Sequence, residues 1–318
     1  MIQLNKELIS VIMSAYNERL DWIEKSVESI INQTYDNIEF IIVLDNPGNC
    51  GLRNLLEQYR LKDDRIKLIV NEENLGLVKS LNIALNHCTG KYIARMDADD
   101  ISDLERLEMQ KEYLENHQLD FIFSGVQVID EENSNLYQTN IQELDARQAK
   151  KRLEKIHISY HPTWFLKSEI FQDLEGYREI SYCEDYDFIL RCLSRNCKIG
   201  KMNGFVLQYR MRQNGISKSF SLEQFLNTRG LIKLYNKNDL EDDNLLLEIM
   251  RNSREIADED EKKKFNMADS FYYKGVNLIK SGSTLRGVNS LMKSLFCSKY
   301  YSIRNLDILK YKIVNPNI

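Results

Sequence analysis

The sequence predicts an α/β fold: a largely parallel sheet covered on both faces by helices, followed by an all-helical region. Three observations carry this. Over the first 130 residues, short continuous apolar runs alternate with segments of helical periodicity, the pattern of strands buried on both faces. Polar and acidic clusters sit directly after those runs, where sheets of this kind bind ligands. From Ser221 onward the pattern turns helical throughout.

Taken in order, "LISVIMSAY" reads as a buried strand, and "RLDWIEKSVESIINQTY" has Ile23, Val27, Ile30 and Ile31 at helical spacing. "IEFIIVLD" is a second buried strand, cut off by the turn signal "NPGN". A helix "LRNLLEQYR", a strand "IKLIVN" and an amphipathic helix "LVKSLNIALNHC" follow, the last ended by Thr89-Gly90. Then come the strand "KYIARMD", the helix "DLERLEMQKEYLENH" and the strand "DFIFSGVQVID". Residues 131–215 are mixed: "PTWFLKSEIF" is a strand running into a helix, "CEDYDFILRCLS" a helix with acids in its first turn, "FVLQYRMR" a strand. Acids in a first turn suit the helix dipole. Further on, "FYYKGVNLIKSG" and "LRGVNSLMKSLFCSKYY" fit a helical hairpin turning at Gly282. A boundary near 216–221 separates a domain of residues 1–217 from a helical region of 218–318.

Several classes are excluded by composition. The chain has 318 residues, 43% hydrophobic and 29% charged, enough for a large core and ordinary for a soluble protein. No apolar run approaches the roughly 20 residues of a membrane span. The N-terminus lacks the basic and long apolar regions of a signal peptide, so a cytoplasmic location is expected. None of the six cysteines forms a pair with the two-residue gap of a zinc or redox site, which leaves reduced structural thiols. The net charge of −5 is unevenly spread: from Lys262 to the end there are eleven Lys or Arg against only Asp269 and Asp307. Such asymmetry suggests separate jobs for the parts.

The chemistry concentrates in "MDADD". Asp97 and Asp99 are two apart and face the same way in an extended backbone. At a strand end they can hold a hard divalent cation and the diphosphate it bridges. The other reading has Asp100 or Ser102 capping the next helix with the remaining acids in solvent. Asp45, before Pro47 and Gly48, is either a turn former or an acceptor for a base or ribose. Tyr16, in "SAYNE", either packs or lies at the same ligand edge. In "CEDYD" the acids Glu184, Asp185 and Asp187 are candidates for a general base. His161 precedes Pro162 at an expected strand start and could pack or bind.

"ISVIMSAYNE", "IIVLDN", "NLGLVKSLNIAL", "GKYIARMDADDISDLERLEMQ", "HPTWFLKSEIF", "GYRE", "CEDYDFILRCL" and "YRMRQNGIS" stand in this order over about residues 8–217. The ordered set resembles the family 2 glycosyltransferases of bacterial capsule, exopolysaccharide and lipopolysaccharide synthesis. That resemblance implies a Rossmann-like, glycosyltransferase A-type fold, a nucleotide-sugar donor (a UDP-sugar), Mn²⁺ or Mg²⁺, and inversion at the anomeric carbon. By position it sets Ala15, Tyr16 and Glu18 at the nucleoside, Asp45 at the uracil and Lys79 near the nucleotide. Asp97 would contact the ribose or the metal's water shell, with Ala98 also at the nucleotide. Asp99 would be the direct metal ligand. Asp185 would be the base, with Glu184 the second choice. Arg210, Arg212 and Ser217 would lie in a loop over the diphosphate. Two departures stand out. Arg212 replaces a frequent histidine and can pair with phosphate but not ligate metal, and Asp45-Asn46 replaces a pair of acids.

A glycan acceptor follows from the same resemblance. If it is lipid-linked, the basic and aromatic residues of 262–318 suit an anionic membrane surface at the inner face of the cell membrane, as against a helical domain with a solvated basic face. No nucleic-acid module is present to use that charge. Metal-binding acids also serve nucleotidyltransferases and phosphatases, but a haloacid-type phosphatase wants its Asp pair after the first strand, where this chain has "SAYNE". A non-catalytic glycan-binding module would not need these acids intact.

Overall fold

The computed structural model describes residues 6–139, 141–212 and 220–314, with side chains to residue 309. The chain forms two compact units: Met1–Glu179 with Glu184–Arg212, and Ile180–Cys183 with Gln213–Ile318.

The first unit begins with β1 (Ile9–Ala15), α1 (Leu20–Ile31), β2 (Ile38–Leu44), α2 (Cys50–Lys62), β3 (Ile66–Val70), α3 (Leu77–Asn86) and β4 (Tyr92–Asp97). These four strands run parallel in the order β3-β2-β1-β4. Every residue of β2 is buried, as a strand covered on both faces requires. Ala15 pairs with Leu44 and Ser14 with Asp97. That register brings the carboxyl ends of β1, β2 and β4 into line, and with them residues 16–18, 45 and 97–100.

The sheet becomes mixed beyond β4. It continues through β5 (Ile101–Ser102), α4 (Arg106–Asn116), β6 (Phe121–Ile129), β7 (Asn135–Gln138), α5 (Ala146–Leu153), β8 (Phe165–Lys167), α6 (Ser168–Asp173), α7 (Glu184–Ser194) and β9 (Ile199–Arg210). The full order is β3-β2-β1-β4-β8-β6-β9-β5, with β7 paired to β6. β8 is antiparallel to β4 and β6, while β9 is parallel to β6 and antiparallel to β5. The short β5 and β7 carry too few residues to show a period, and the sequence pattern predicts neither. His161 does not start a strand: it opens a 3₁₀ turn, His161–Thr163, with Pro162 in its first positions, where a missing N–H costs nothing.

Opposite the ligand edge, Glu39 is buried mid-sheet near the amino end of β2. It accepts from Ser10 Oγ (2.6 Å), Thr89 N (2.5 Å), Gly90 N (3.1 Å) and Lys67 Nζ (2.5 Å). Burial works to raise its carboxyl, but Lys67, Ser10 and Thr89 together hold it below the usual range. Gly90 is required there, since a Cβ would lie 2.7 Å from Ser10 N.

The second unit contains α8 (Ser221–Lys237), α9 (Asp243–Ile256), α10 (Glu259–Lys280), α11 (Thr284–Cys297) and α12 (Lys299–Val314). Leu222, Ala257, Phe265, Ala268 and Tyr301 form its core. α10 and α11 make the hairpin expected at Gly282, whose φ of +87° suits glycine. Among the described residues, no helix is long and apolar enough to cross a membrane. All six cysteines are free thiols.

Candidate active site

The end of β4 makes a tight acidic turn. Asp97 is partly exposed and forms an ion pair with Arg95. Arg95 lies two residues earlier on the same strand and therefore on the same side. It is buried, and its Nε has no partner. Asp99 is 8% exposed and meets Arg212 Nε at 2.9 Å. Burial first, then Asp97, push its carboxyl up to about 7, against the pull of Arg212. Asp100 is buried and accepts from Arg210 N at 2.8 Å through Oδ1, while Oδ2 has no partner. Burial, Asp99 and Asp97 raise it well above the usual carboxylate range.

Neither Asp100 nor Ser102 caps α4, which starts after Glu105 without a side-chain cap. Asp103 Oδ1 takes the Glu105 N–H at 3.0 Å instead. The capping explanation for the acids therefore fails.

Ala15 is buried at the end of β1, and Ala98 is buried between the acids. Glu18 Oε2 accepts from Tyr16 N at 2.7 Å, which folds the 16–18 loop onto itself, and Glu18 Oε1 lies 4.0 Å from Arg212. Tyr16 does not pack inside: it is 43% exposed. Lys79 is exposed and lies 3.6 Å from Glu179.

Two residues expected at the nucleotide, Asp45 and Arg210, have partners within the fold. Asp45 is 2% exposed. Its oxygens take Asn71 Nδ2 at 2.7 Å, Leu75 N at 2.8 Å and Gly76 N at 2.8 Å. The carboxylate thus shapes the turn entering α3, where Gly76 has φ +86°. Asn46, less buried, is the neighbour left at the edge, 3.4 Å from Asn17 Oδ1. Arg210 is buried, and each guanidinium nitrogen is engaged. Nε donates to Asp99 O (2.8 Å), Nη1 to Asp130 O (2.9 Å) and Nη2 to Asn133 Oδ1 (2.8 Å), with Trp22 against its face. It braces the acidic turn against the β6–β7 connection. Arg212 remains available at 33% side-chain exposure. Ser217 lies outside the described residues.

The second acidic group is the first turn of α7. Asp185 Oδ1 accepts from Tyr186 N at 2.7 Å, and Oδ2 lies 3.5 Å from His157 Nε2. The His157 ring stacks on Tyr186. Burial and then Asp185 push Glu184 up to about 8, opposed by Arg95 and reinforced by Asp97. His161 is buried with Nε2 2.8 Å from Tyr177 Oη, against Trp164. Burial and Arg95 depress it well below 6.5, so it packs as a neutral ring. Asp187 is buried between Arg178 and Arg191, a structural ion pair.

Sequence reasoning missed Arg95 and His157. The two-residue period of the strand already puts Arg95 beside Asp97. His157 lies in a stretch without periodicity, and only the fold brings it to Asp185.

Residues 10–175 match the family model described as glycosyl transferase family 2. The chain belongs to glycosyltransferase family 2. An uncharacterized glycosyltransferase of Methanocaldococcus jannaschii is 40% identical over 219 residues, 68% of this chain and 76% of the relative. The O-antigen biosynthesis glycosyltransferase WbnJ of Escherichia coli is 31% identical over 237 residues, 70% and 91% of the two chains. Among solved structures, S. aureus TarS 1-349 in complex with UDP-GlcNAc superposes with TM-score 0.59 at 17% identity, covering 89% of each chain. The mannosyltransferase PcManGT of Pyrobaculum calidifontis, in complex with GDP-Man and Mn²⁺, gives 0.60 at 14% identity, covering 95% and 88%. The fold is the glycosyltransferase A type of these neighbours. Asp97, Asp99 and Arg95 fall inside the span that matches the family, whereas the α7 acids and Arg212 lie beyond it.

Proposed function

We propose that this family 2 glycosyltransferase is an inverting, divalent-metal-dependent enzyme. It moves a sugar from a UDP-sugar to a hydroxyl of a surface-glycan acceptor. The observation that carries this reading is the pair of acidic groups in the first unit, the β4 turn held beside Arg95 and Arg212 and the first turn of α7 with His157 on Asp185. One group suits the leaving diphosphate and the other the attacking hydroxyl.

The residues fit a hard cation. Asp97 and Asp99 supply oxygen donors, and the crowding that raises Asp99 is relieved when a cation joins it. An ion held by one or two carboxylates completes its shell with phosphate oxygens and water. When bound, Mn²⁺ or Mg²⁺ would neutralise charge on the departing diphosphate. Arg212, now paired with Asp99, would turn its fork to the same phosphates. Ala15, Tyr16 and Glu18 would line the nucleoside, with Lys79 at the nucleotide's edge. Asp185 would accept the proton of the acceptor hydroxyl as it attacks opposite the leaving group, and His157 would fix the orientation of Asp185. Glu184, pushed up to about 8, is largely protonated at neutral pH and so a poor base there. A lipid-linked acceptor would set the enzyme to work on the cytoplasmic side of the cell membrane.

The test is a panel of nucleotide sugars with Mn²⁺, read by saturation-transfer NMR and by release of free nucleoside diphosphate. One UDP-sugar should bind and turn over, with the product anomer inverted. Asp185→Asn should keep donor binding and lose turnover by about 10²–10⁴-fold. A retained anomer, or an Asp185→Asn protein with unchanged turnover, would overturn the assignment.

A further inference from the structure

α11 is built inside out. Its inner face carries small residues, Gly287, Ser290 and Ser294, all buried. They bring the helix close to α10: a Cβ on Gly287 would lie 2.8 Å from Gly275 O and 2.5 Å from Ile279 Cγ1. Ser290 Oγ donates to Phe271 O at 2.8 Å. The large apolar residues point the other way. Leu285 is 89% exposed, Phe296 82%, Val288 47%, Met292 45% and Leu295 40%. Spaced along one side of the helix, they make a stripe about 16 Å long. Helices in water normally bury such a stripe, and close packing through small residues is the habit of helices with lipid around them. An exposed apolar surface of this extent marks an interaction site.

Charge selects the occupant. Arg286 and Lys293 are exposed along one edge of the stripe, with Lys274, Lys280 and Lys299 exposed on the same hairpin and the turn beyond it. The acids that follow Lys262 are Asp269 and Asp307, and both are engaged within this unit. Asp269 holds Tyr301 Oη at 3.0 Å and Arg304 at 3.2 Å, and Asp307 holds Arg229 at 3.0 Å. Two such basic surfaces would repel one another, which disfavours a second copy of the chain and favours an anionic partner.

We infer that the outer face of α11 docks on an anionic lipid bilayer. Leu285, Met292 and Phe296 would enter the headgroup boundary, while Arg286 and Lys293 pair with lipid phosphates at its edge. This deepens the location proposed above and rests on it only for which membrane is meant. The geometry is independent of donor and acceptor.

The experiment is co-sedimentation of the full-length enzyme with phosphatidylglycerol-containing vesicles and with neutral phosphatidylcholine vesicles. Light scattering gives the oligomeric state in parallel. The wild type should bind the anionic vesicles and not the neutral ones. Leu285→Ser with Phe296→Ser should weaken that binding at least about tenfold. Both side chains are already exposed, so the melting temperature and UDP-sugar hydrolysis in lipid-free solution should stay unchanged. Arg286→Glu with Lys293→Glu should weaken it as well. The inference is overturned if the wild type ignores anionic vesicles, or if either double variant binds them as well as the wild type. A wild-type dimer that the serine pair breaks, without vesicle binding, would make a second copy the occupant and also overturn it. Absence of donor hydrolysis in the wild type would instead strike the donor reading and leave the lipid result standing.

Discussion

The two ends of the parallel sheet treat buried acid in opposite ways. At the amino end Glu39 is surrounded by donors, from Ser10, Lys67, Thr89 and Gly90, and is held below the usual carboxylate range. At the carboxyl end Asp99 is pushed up to about 7, Asp100 is raised well above its ordinary range, and one Asp100 oxygen has no partner. On the function proposed above, the difference separates structural from functional acid. A carboxylate whose donors come from the fold is complete in itself. Carboxylates crowded together with too few donors are complete only when something else arrives.

The largest effect should come from the crowded end. Asp99→Asn should lower turnover by about 10³-fold and leave the melting temperature equal or higher, because it removes a poorly compensated buried acid. Steady-state kinetics and calorimetry on the same sample check both halves. A clear loss of stability would break the contrast by making Asp99 a structural residue.

Glu39→Gln should do the reverse. It should cost about 2 kcal/mol of stability in urea denaturation while kcat stays within about twofold of wild type. A large drop in kcat with unchanged stability would end the distinction between the two ends.

The third effect depends on pH. A carboxyl whose folded value is about 7, above an unfolded value near 4, binds its proton more tightly in the folded state. Its contribution is fully present at low pH and is lost as pH rises towards 7. Mn²⁺ competes with that proton, so the thermal shift on adding Mn²⁺ should be larger at pH 8 than at about pH 5.5. Glu39 has the opposite sign: its contribution is present above its unfolded value and lost as pH falls through its depressed folded value. The Glu39→Gln protein should therefore lose less stability on acidification than the wild type. Equal Mn²⁺ shifts at both pH values would sink the reading of Asp99.

The smallest effect concerns orientation. His157→Gln should lower kcat by about tenfold with KM for the donor unchanged, since His157 touches Asp185 and not the nucleotide edge. A change confined to KM would remove it from the base.

The parallel half was legible in the sequence because each strand is a continuous apolar run and each helix keeps its period. Strand ends were legible too, and that was enough to single out Asp97 and Asp99. Roles fixed by distant partners were not. Asp45, read as a turn former or as an acceptor for a base or ribose, is held by Leu75, Gly76 and Asn71. Arg210, expected in a loop over the diphosphate, donates to Asp130 O and Asn133 Oδ1. In both cases the partners come from other elements, which sequence pattern alone does not bring together. α11 is legible as a helix from its period, but the face it buries is the small one.

The Arg210 brace has a consequence for how the molecule is made. Its N–H reaches Asp100 across 110 residues of chain, and Asp99 O is held by the same side chain. The first four strands hold no part of this brace. On a ribosome, β1 to β4 can pair while the acidic turn is still loose, and contacts of such long range form late. A nascent chain that stops short of β9 would therefore have β1 to β4 without the means to fix the acidic turn.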